Sequence, residues 1–299
     1  VIRIGTRGSQ LALWQAQRVA HLIHQRVGLE TELVIVHTRG DLDHSRALHT
    51  LPEAGFFTKE LQRALLDRRV DLVVHSLKDV PIDEPEGLTL AAVLEREAVH
   101  DLLFAHPEAV GDGPLGLRPG ARLGTSSLRR AAQALAHQPD LAVVPLRGNV
   151  PTRVARVRQR EVDATLLAAA GVSRLGIEFA DVTVRPLPLE VMLPAPGQGA
   201  LAVEVRRGSA EEDLASRLDD APAREATSAE RSVLRGLGGG CHLPLGALAR
   251  RTSAGVVLDA VLGRLDDALS RATLRRASAC AISGEEAAAQ VLARLGEAP

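Results

Sequence analysis

One thiol in this chain stands in a stretch suited to exposing it. Cys241 lies in Gly238-Gly239-Gly240-Cys241-His242-Leu243-Pro244-Leu245-Gly246. Glycine removes side-chain bulk and lets the backbone approach a bound group or take positive φ, while Pro244 stiffens the far side. The run reads as an open loop presenting a sulfur, and a plain turn with an inert cysteine stays open on this run alone. The other cysteine, Cys280, sits in a bland apolar segment, so a structural disulfide is not expected in so large and cysteine-poor a chain. No His or carboxylate partners stand near Cys241 at metal-ligand spacing, so no metal is expected.

A second set of residues could do charge chemistry. Five charged turns follow expected strands, at the edge where α/β sheets bind ligands. They are Thr6-Arg7-Gly8-Ser9, His75-Ser76-Leu77-Lys78-Asp79-Val80-Pro81, Gly124-Thr125-Ser126-Ser127-Leu128-Arg129-Arg130, Leu146-Arg147-Gly148-Asn149-Val150-Pro151-Thr152-Arg153 and Ala170-Gly171-Val172-Ser173-Arg174. Any one of them reads equally as a capped helix with solvated charges. Five at one edge predict a cleft for a ligand with several negative charges, since helix N-termini and arginine forks both favour carboxylate or phosphate. Asp79 would be the lone carboxylate there. In a cationic cleft it should stay ionised, where it could hold an N–H donor, stabilise a developing cation or relay protons.

The elements that position these turns follow from periodicity. Strands are expected at Val1–Gly5, Glu32–Thr38, Leu72–His75 and Leu88–Leu94, with helices over Leu11–Arg26 and Phe57–Arg68 between them. Ser9 is the N-cap candidate for the first helix, and 41–55 reads as a mobile surface loop. The pattern restarts with strands at Arg122–Gly124, Leu141–Pro145 and Ala164–Leu167 and helices at Ser127–His137 and Val150–Arg160. A Pro/Gly-rich crossover at Leu187–Gly199 leads to a strand at Leu201–Val205. This order predicts mainly parallel, covered sheets. After about Ala221 the character is α+β: a helix over Arg224–Leu234, strands near Leu245–Arg250, Val256–Gly263 and Ala272–Ala277, and a last helix at Glu285–Leu295. No short-period repeat is evident.

Composition narrows the function classes. The 299 residues suit two or three domains. A formal net charge of −1 gives no global field for nucleic acid or membrane, and aromatics at 2% with no tyrosine leave little surface for stacking bases. No apolar run reaches transmembrane length and no leader-like segment opens the chain, so a cytoplasmic protein is expected. Of 36 basic residues only Lys59 and Lys78 are lysines. Where arginine serves nearly everywhere, a retained lysine reads as a place needing a compact ammonium, with chance survival as the alternative.

With these residues on view, the chain resembles the porphobilinogen deaminase (hydroxymethylbilane synthase) family. The matching motifs are IGTRGSQLA at Ile4–Ala12, TRGD at Thr38–Asp41, FTKEL at Phe57–Leu61, DLVVHSLKDVP at Asp71–Pro81, GTSSLRR at Gly124–Arg130, LRGNVPTR at Leu146–Arg153, LPAPGQGA at Leu193–Ala200 and ERSVLRGLGGGCHLPLG at Glu230–Gly246. They run nearly the full length in the family's order. The resemblance implies two doubly wound α/β domains like type II periplasmic binding proteins, residues 1–98 with 198–218 and residues 99–197. A small C-terminal α+β domain, 219–299, would bear the cysteine. It implies a dipyrromethane cofactor held by a thioether to Cys241. Four porphobilinogen molecules are then deaminated and joined head to tail on that primer, and hydrolysis releases 1-hydroxymethylbilane for tetrapyrrole synthesis. Asp79 matches the family's catalytic aspartate, which contacts pyrrole N–H groups and stabilises the positive charge left by loss of ammonia. Each pyrrole brings an acetate and a propionate. By motif match these carboxylates would be bound by Arg7, Ser9, Ser76, Lys78, Thr125, Ser127, Arg129, Arg130, Arg147, Arg153 and Arg174, with Gln198 and Gly199 at the crossover beside the site. Phe57 and Lys59 fall in the family's mobile loop-to-helix segment, and a monomer without nucleic-acid or membrane partners is implied.

Four positions depart from the family pattern. Ala54 stands where a basic residue is common, Ser173 where lysine is common before Arg174, Leu243 where a β-branched residue is usual, and Gly238 where an acid is common. None removes a catalytic group. Two other readings compete. A non-catalytic anion-binding protein of the same architecture would need neither Asp79 beside Lys78 nor a thiol-bearing third domain. A thiol hydrolase would need a His base aimed at Cys241, and neighbouring side chains such as His242 point apart on an extended segment.

Overall fold

The computed structural model describes residues 1–38, 58–240 and 243–296. In chain order the elements are β1 (Ile2–Thr6), α1 (Gln10–Val27), β2 (Thr31–Ile35), α2 (Lys59–Leu66), β3 (Leu72–Ser76), β4 (Leu88–Val93), β5 (Asp101–Ala105), β6 (Arg122–Gly124), α3 (Leu128–His137), β7 (Ala142–Val144), α4 (Val150–Arg158), β8 (Ala164–Ala168), α5 (Ala169–Leu175), β9 (Thr183–Pro186), β10 (Leu201–Arg206), α6 (Ala210–Ser216), α7 (Ala221–Gly236), β11 (Leu245–Thr252), β12 (Gly255–Leu265), β13 (Ala272–Ala281) and α8 (Gly284–Gly296). They form three sheets, ordered β2-β1-β3-β10-β4, β7-β6-β8-β5-β9 and β11-β12-β13.

The first two sheets are versions of one design. In each, four strands share a direction and the fourth position in the order is reversed: β10 runs antiparallel to β3 and β4, and β5 runs antiparallel to β8 and β9. The reversed strands are the two that begin as the chain crosses from one sheet to the other, so each enters from the opposite edge. This qualifies the expectation of mainly parallel sheets. The likeness extends to side chains. The Arg3 backbone N–H and Nε donate to Asp71 Oδ2 at 2.8 and 3.0 Å, and those of Arg122 donate to Asp163 Oδ2 at 2.8 and 3.3 Å. Arg68 and Arg160, each three residues before its aspartate, both take positive φ, 57° and 58°. This repeat spans whole sheets, so a search for short periods does not meet it.

Both faces of the first sheet are covered. Ala16, Val19, Leu22 and Ile23 of α1 pack on Ile4, Leu72, Val74 and Val203, while Leu61, Ala64 and Leu65 of α2 pack on Val73 and Leu88. In the second sheet α3 supplies Ala134 and Leu135 to one face, and α4 supplies Val154 and Val157 to the other. Each fully buried Val, Leu or Ile among these is worth about 1.5–3 kcal/mol. Helices α7 and α8 cover one face of the third sheet, and α3 lies against β12 and β13.

Two crossovers join the first two sheets, at 94–100 and 187–200. They pass so closely that a side chain on Gly199, at φ 92°, would sit 2.6 Å from the Glu97 carbonyl oxygen. The carboxylate of Glu230, on α7, ties this junction together. It takes two bonds from Arg96 at 2.6 and 3.0 Å, the Gly197 N–H at 2.7 Å and the Ala249 N–H at 2.8 Å. One buried carboxylate thus holds both crossovers and the first strand of the third sheet.

Candidate active site

The charged turns meet where the first two sheets face each other. Ser9 caps α1 by accepting from the Ala12 N–H at 3.3 Å, which fixes Arg7 just outside the helix. Ser127 caps α3 and Asn149 caps α4, each accepting from an N–H three residues on. These caps answer otherwise unpaired helix donors and place Arg129, Arg130 and Arg153 on the first turns. After β3 the chain makes a 3-10 turn, Leu77–Asp79. Its exit is pinned by Arg231 of α7, which donates to the carbonyls of Val80 at 3.0 Å and Pro81 at 2.7 Å. Asp79 stays exposed on this clamped turn.

Arg7, Ser9, Ser76 and Asp79 line one hollow of about 70 Å³ together with Gln15, Thr58 and His75. The Ser76 hydroxyl accepts from Gln15 Nε2 at 2.8 Å. On the wall behind, His75 Nε2 lies 3.0 Å from Glu204 Oε2, and Gln62 donates to Glu204 Oε1 at 3.0 Å. This buried chain links β3, β10 and α2.

Lys78 exposes only part of its surface and lies deep among protein atoms. Burial pushes its ammonium down to about 8; Arg130 and Arg129 add to this, while Asp79 and Asp101 oppose it. Arg153 is half-buried, with Nε donating to the Gly148 carbonyl at 2.7 Å. Burial first, then Arg130 and Arg147, push its guanidinium down to about 10, against Asp79. Lys78, Asp79, Arg129, Arg130, Arg147 and Arg153 therefore share one field.

Several residues have protein partners as well. Arg129 and Arg130 are 5% and 6% exposed, and both bond Asp101. Asp79 is thus not the lone carboxylate beside the arginine turns. Asp101 heads β5, a strand the periodicity did not suggest; its one signal is an acid opening the apolar run Leu102-Leu103-Phe104-Ala105. Arg174 is buried, donating to Glu97 Oε1 at 3.1 Å and the Gly199 carbonyl at 2.9 Å, with its guanidinium 5.6 Å from the Trp14 ring centre. Gln198 donates to the Val99 carbonyl and to Asp101. Thr125 is buried and accepts from the Ser127 N–H. Lys59 opens α2 and is exposed; Phe57 and Cys241 lie outside the described residues. Of the glycines before Cys241, Gly238 takes φ 66° as α7 ends, and Gly239 is pressed on Leu234 and Leu243. Among the described residues nothing lies within 4 Å of the position a Gly240 side chain would take.

A larger cavity of about 220 Å³ lies at the opposite edge of the second sheet, lined by His106, Glu108, Arg118, Arg122, Arg160 and Asp163. Its arginines are committed to Asp163 and Glu108, which makes it a structural ion network.

Comparison with known proteins decides between the readings. Residues 2–213 match the family model described as porphobilinogen deaminase, dipyromethane cofactor binding domain, and residues 225–293 match that of the porphobilinogen deaminase C-terminal domain. The chain belongs to the porphobilinogen deaminase family. The porphobilinogen deaminase of Moorella thermoacetica is 42% identical over 98% of this chain and 92% of its own length. That of Syntrophomonas wolfei is 43% identical over 89% and 86%, and that of Rubrobacter xylanophilus 45% over 89% and 85%. Among solved structures, a periplasmic substrate-binding protein of an ABC transporter from Coxiella burnetii is 14% identical over 77% of this chain and 97% of its own, with a TM-score of 0.45.

The donor set suits the cofactor that the family model names. A dipyrromethane built from porphobilinogen units carries an acetate and a propionate on each ring, and Arg7, Lys78, Arg147 and Arg153 are cations suited to such carboxylates.

Proposed function

We propose that this protein is a hydroxymethylbilane synthase: it deaminates porphobilinogen and joins four units head to tail on a dipyrromethane attached through Cys241, then releases 1-hydroxymethylbilane by hydrolysis. The observation that carries this reading is the exposed carboxylate of Asp79 on a clamped turn, facing a field of arginines and Lys78. When bound, the dipyrromethane would supply the free pyrrole α-carbon to which the first unit is joined. Arg7, Lys78, Arg147 and Arg153 hold ring carboxylates, with the hydroxyls of Ser9, Ser76 and Ser127 beside them. Arg129, Arg130 and Arg174 contribute charge at the wall. As ammonia leaves porphobilinogen, positive charge grows on its pyrrole. The Asp79 carboxylate accepts the pyrrole N–H and stabilises that charge, the effect expected of a fixed anion in a partly dehydrated cleft. The turn held by Arg231 keeps Asp79 in place while successive rings pass.

We read the chain as three domains, 1–98 with 198–218, 99–197 and 219–299. The three separate sheets and the gap between the two matched models, 214–224, support this division. Family resemblance supports a monomer working in the cytoplasm. Among the described residues no helix is long and apolar enough to cross a membrane.

The test is intact mass of the denatured protein beside its Cys241→Ser variant, with turnover of Asp79→Asn alongside. The expected result is an excess equal to two deaminated pyrrole units in the parent and none in Cys241→Ser, with Asp79→Asn folded but nearly inactive. An adduct retained in Cys241→Ser, or normal turnover in Asp79→Asn, overturns the corresponding assignment.

A further inference from the structure

Asp101 has no exposed surface, and four donors converge on it. Its Oδ2 accepts from Arg129 Nη2 at 2.8 Å and Arg130 Nε at 3.1 Å; its Oδ1 accepts from Arg130 Nη2 at 2.8 Å and Gln198 Nε2 at 2.9 Å. The far side of each guanidinium is held as well. Arg129 Nη1 donates to the Leu193 carbonyl at 2.6 Å and Arg130 Nη1 to the Leu166 carbonyl at 2.7 Å. Two adjacent buried guanidiniums repel each other, and without an anion between them they would not rest side by side. Although burial pushes the Asp101 carboxyl up, Arg129 and Arg130 hold it well below the usual carboxylate range, so it stays ionised.

This arrangement has a consequence for elongation. A bare arginine fork grips a carboxylate through two parallel bonds. A chain that grows one ring at a time must release each carboxylate to advance. Asp101 takes the Nε/Nη2 edge of Arg130 and one arm of Arg129, which fixes both guanidiniums in place and cancels one of their two charges, so they cannot swing to follow a passing carboxylate. We propose that Asp101 is a positioning residue for the polymerisation: it holds Arg129 and Arg130 as a rigid pair, keeps them from clamping the growing chain, and ties them to the crossover through Gln198. This rests on the reading of the cleft given above.

The test is Asp101→Asn, followed by intact mass during turnover and by steady-state kinetics per primer-bearing molecule. The expected variant carries the primer and loses at least about tenfold in kcat. Its KM does not rise, and species with one to three added units accumulate beyond their parent levels. Parent-like kcat with no accumulation overturns the proposal, as does a raised KM at unchanged kcat. Should Asp101→Asn fail to fold, Asp101→Glu keeps the charge and moves it by one methylene. Accumulated intermediates in that variant support the proposal, and a parent-like ladder overturns it. Asp79→Asn separates the two claims. If it is inactive while Asp101→Asn behaves as the parent, only the Asp101 role fails; if it turns over normally, the reading of the cleft itself fails.

Discussion

Replacing Glu230 by alanine tests whether the three sheets are held as one unit. The Glu230 side chain has no exposed surface and that of Arg96 only 11%. Glu230→Ala leaves Arg96 its bond to the Gln198 carbonyl at 2.9 Å and strips the acceptor from the Gly197 and Ala249 N–H groups. Breaking a buried pair from one side costs about 3–5 kcal/mol, because the surviving charge is stranded. At about 2–4 °C per kcal/mol for a domain of this size, Tm should fall by roughly 6–20 °C. The assay is urea denaturation followed by circular dichroism and by the fluorescence of Trp14, the one tryptophan of the chain. Trp14 lies in α1, so its signal follows the first sheet while circular dichroism follows all three. In Glu230→Ala the two transitions should separate as the junction loosens. The double variant Arg96→Met/Glu230→Leu should cost less than the two single changes together, since neither charge is left alone. A Glu230→Ala cost under about 1 kcal/mol, or strict additivity, would refute the hub.

Further outcomes follow from the same contacts. Lys78 is charged below about 8 and loses its proton above, so KM for porphobilinogen should rise as pH passes about 8, and Lys78→Met should flatten that limb. A bound carboxylate raises the Lys78 pKa again, so binding above pH 8 should take up a proton, measurable by calorimetry in buffers of different ionisation enthalpy; no uptake would remove Lys78 from the grip. If ligand carboxylates draw Arg174 from Glu97 and Trp14, porphobilinogen should change Trp14 emission, and Arg174→Leu should abolish that change. Glu204→Gln should cost less than about 1 kcal/mol, because His75 can turn to the tautomer that accepts from the new amide, whereas Glu204→Leu strands His75 and Gln62 and should cost about 2 kcal/mol or more by urea denaturation.

What could be read from the sequence is what short spacing encodes. Ser9 before an apolar-periodic run marks the start of α1, and Ser127 and Arg129-Arg130 fall on the first turn of α3 for the same local reason. The charged turns sit at one edge because the β-to-α connections of strands that share a direction all emerge there, which is topology rather than coincidence. The segments that escaped depend on distant partners. Strand β9, Thr-Val-Arg-Pro, is a short edge strand with an exposed pattern and a proline, so nothing local distinguishes it from a loop. Helix α5 contains Gly171, Val172 and Ser173, all weak helix formers; it is held by packing against α1, with Arg174 over Trp14 and Gly171 beside Leu11.

The same limit explains Asp101. Arg129 and Arg130 announce themselves as a pair, and an arginine pair at a helix start calls for an anion. Its identity is another matter. Asp101 lies 28 residues before Arg129 on a strand that exists only because the chain has crossed between sheets and reversed, and Gln198 reaches it from 97 residues later. No local spacing relates these positions. The crossovers that bring them together are the same segments that Glu230 and Arg174 hold. The charge state of the cleft wall and the geometry of the junction are therefore one structural problem. A change at the junction, such as Glu230→Ala, should for that reason disturb elongation as well as stability, even though Glu230 is buried away from any ligand.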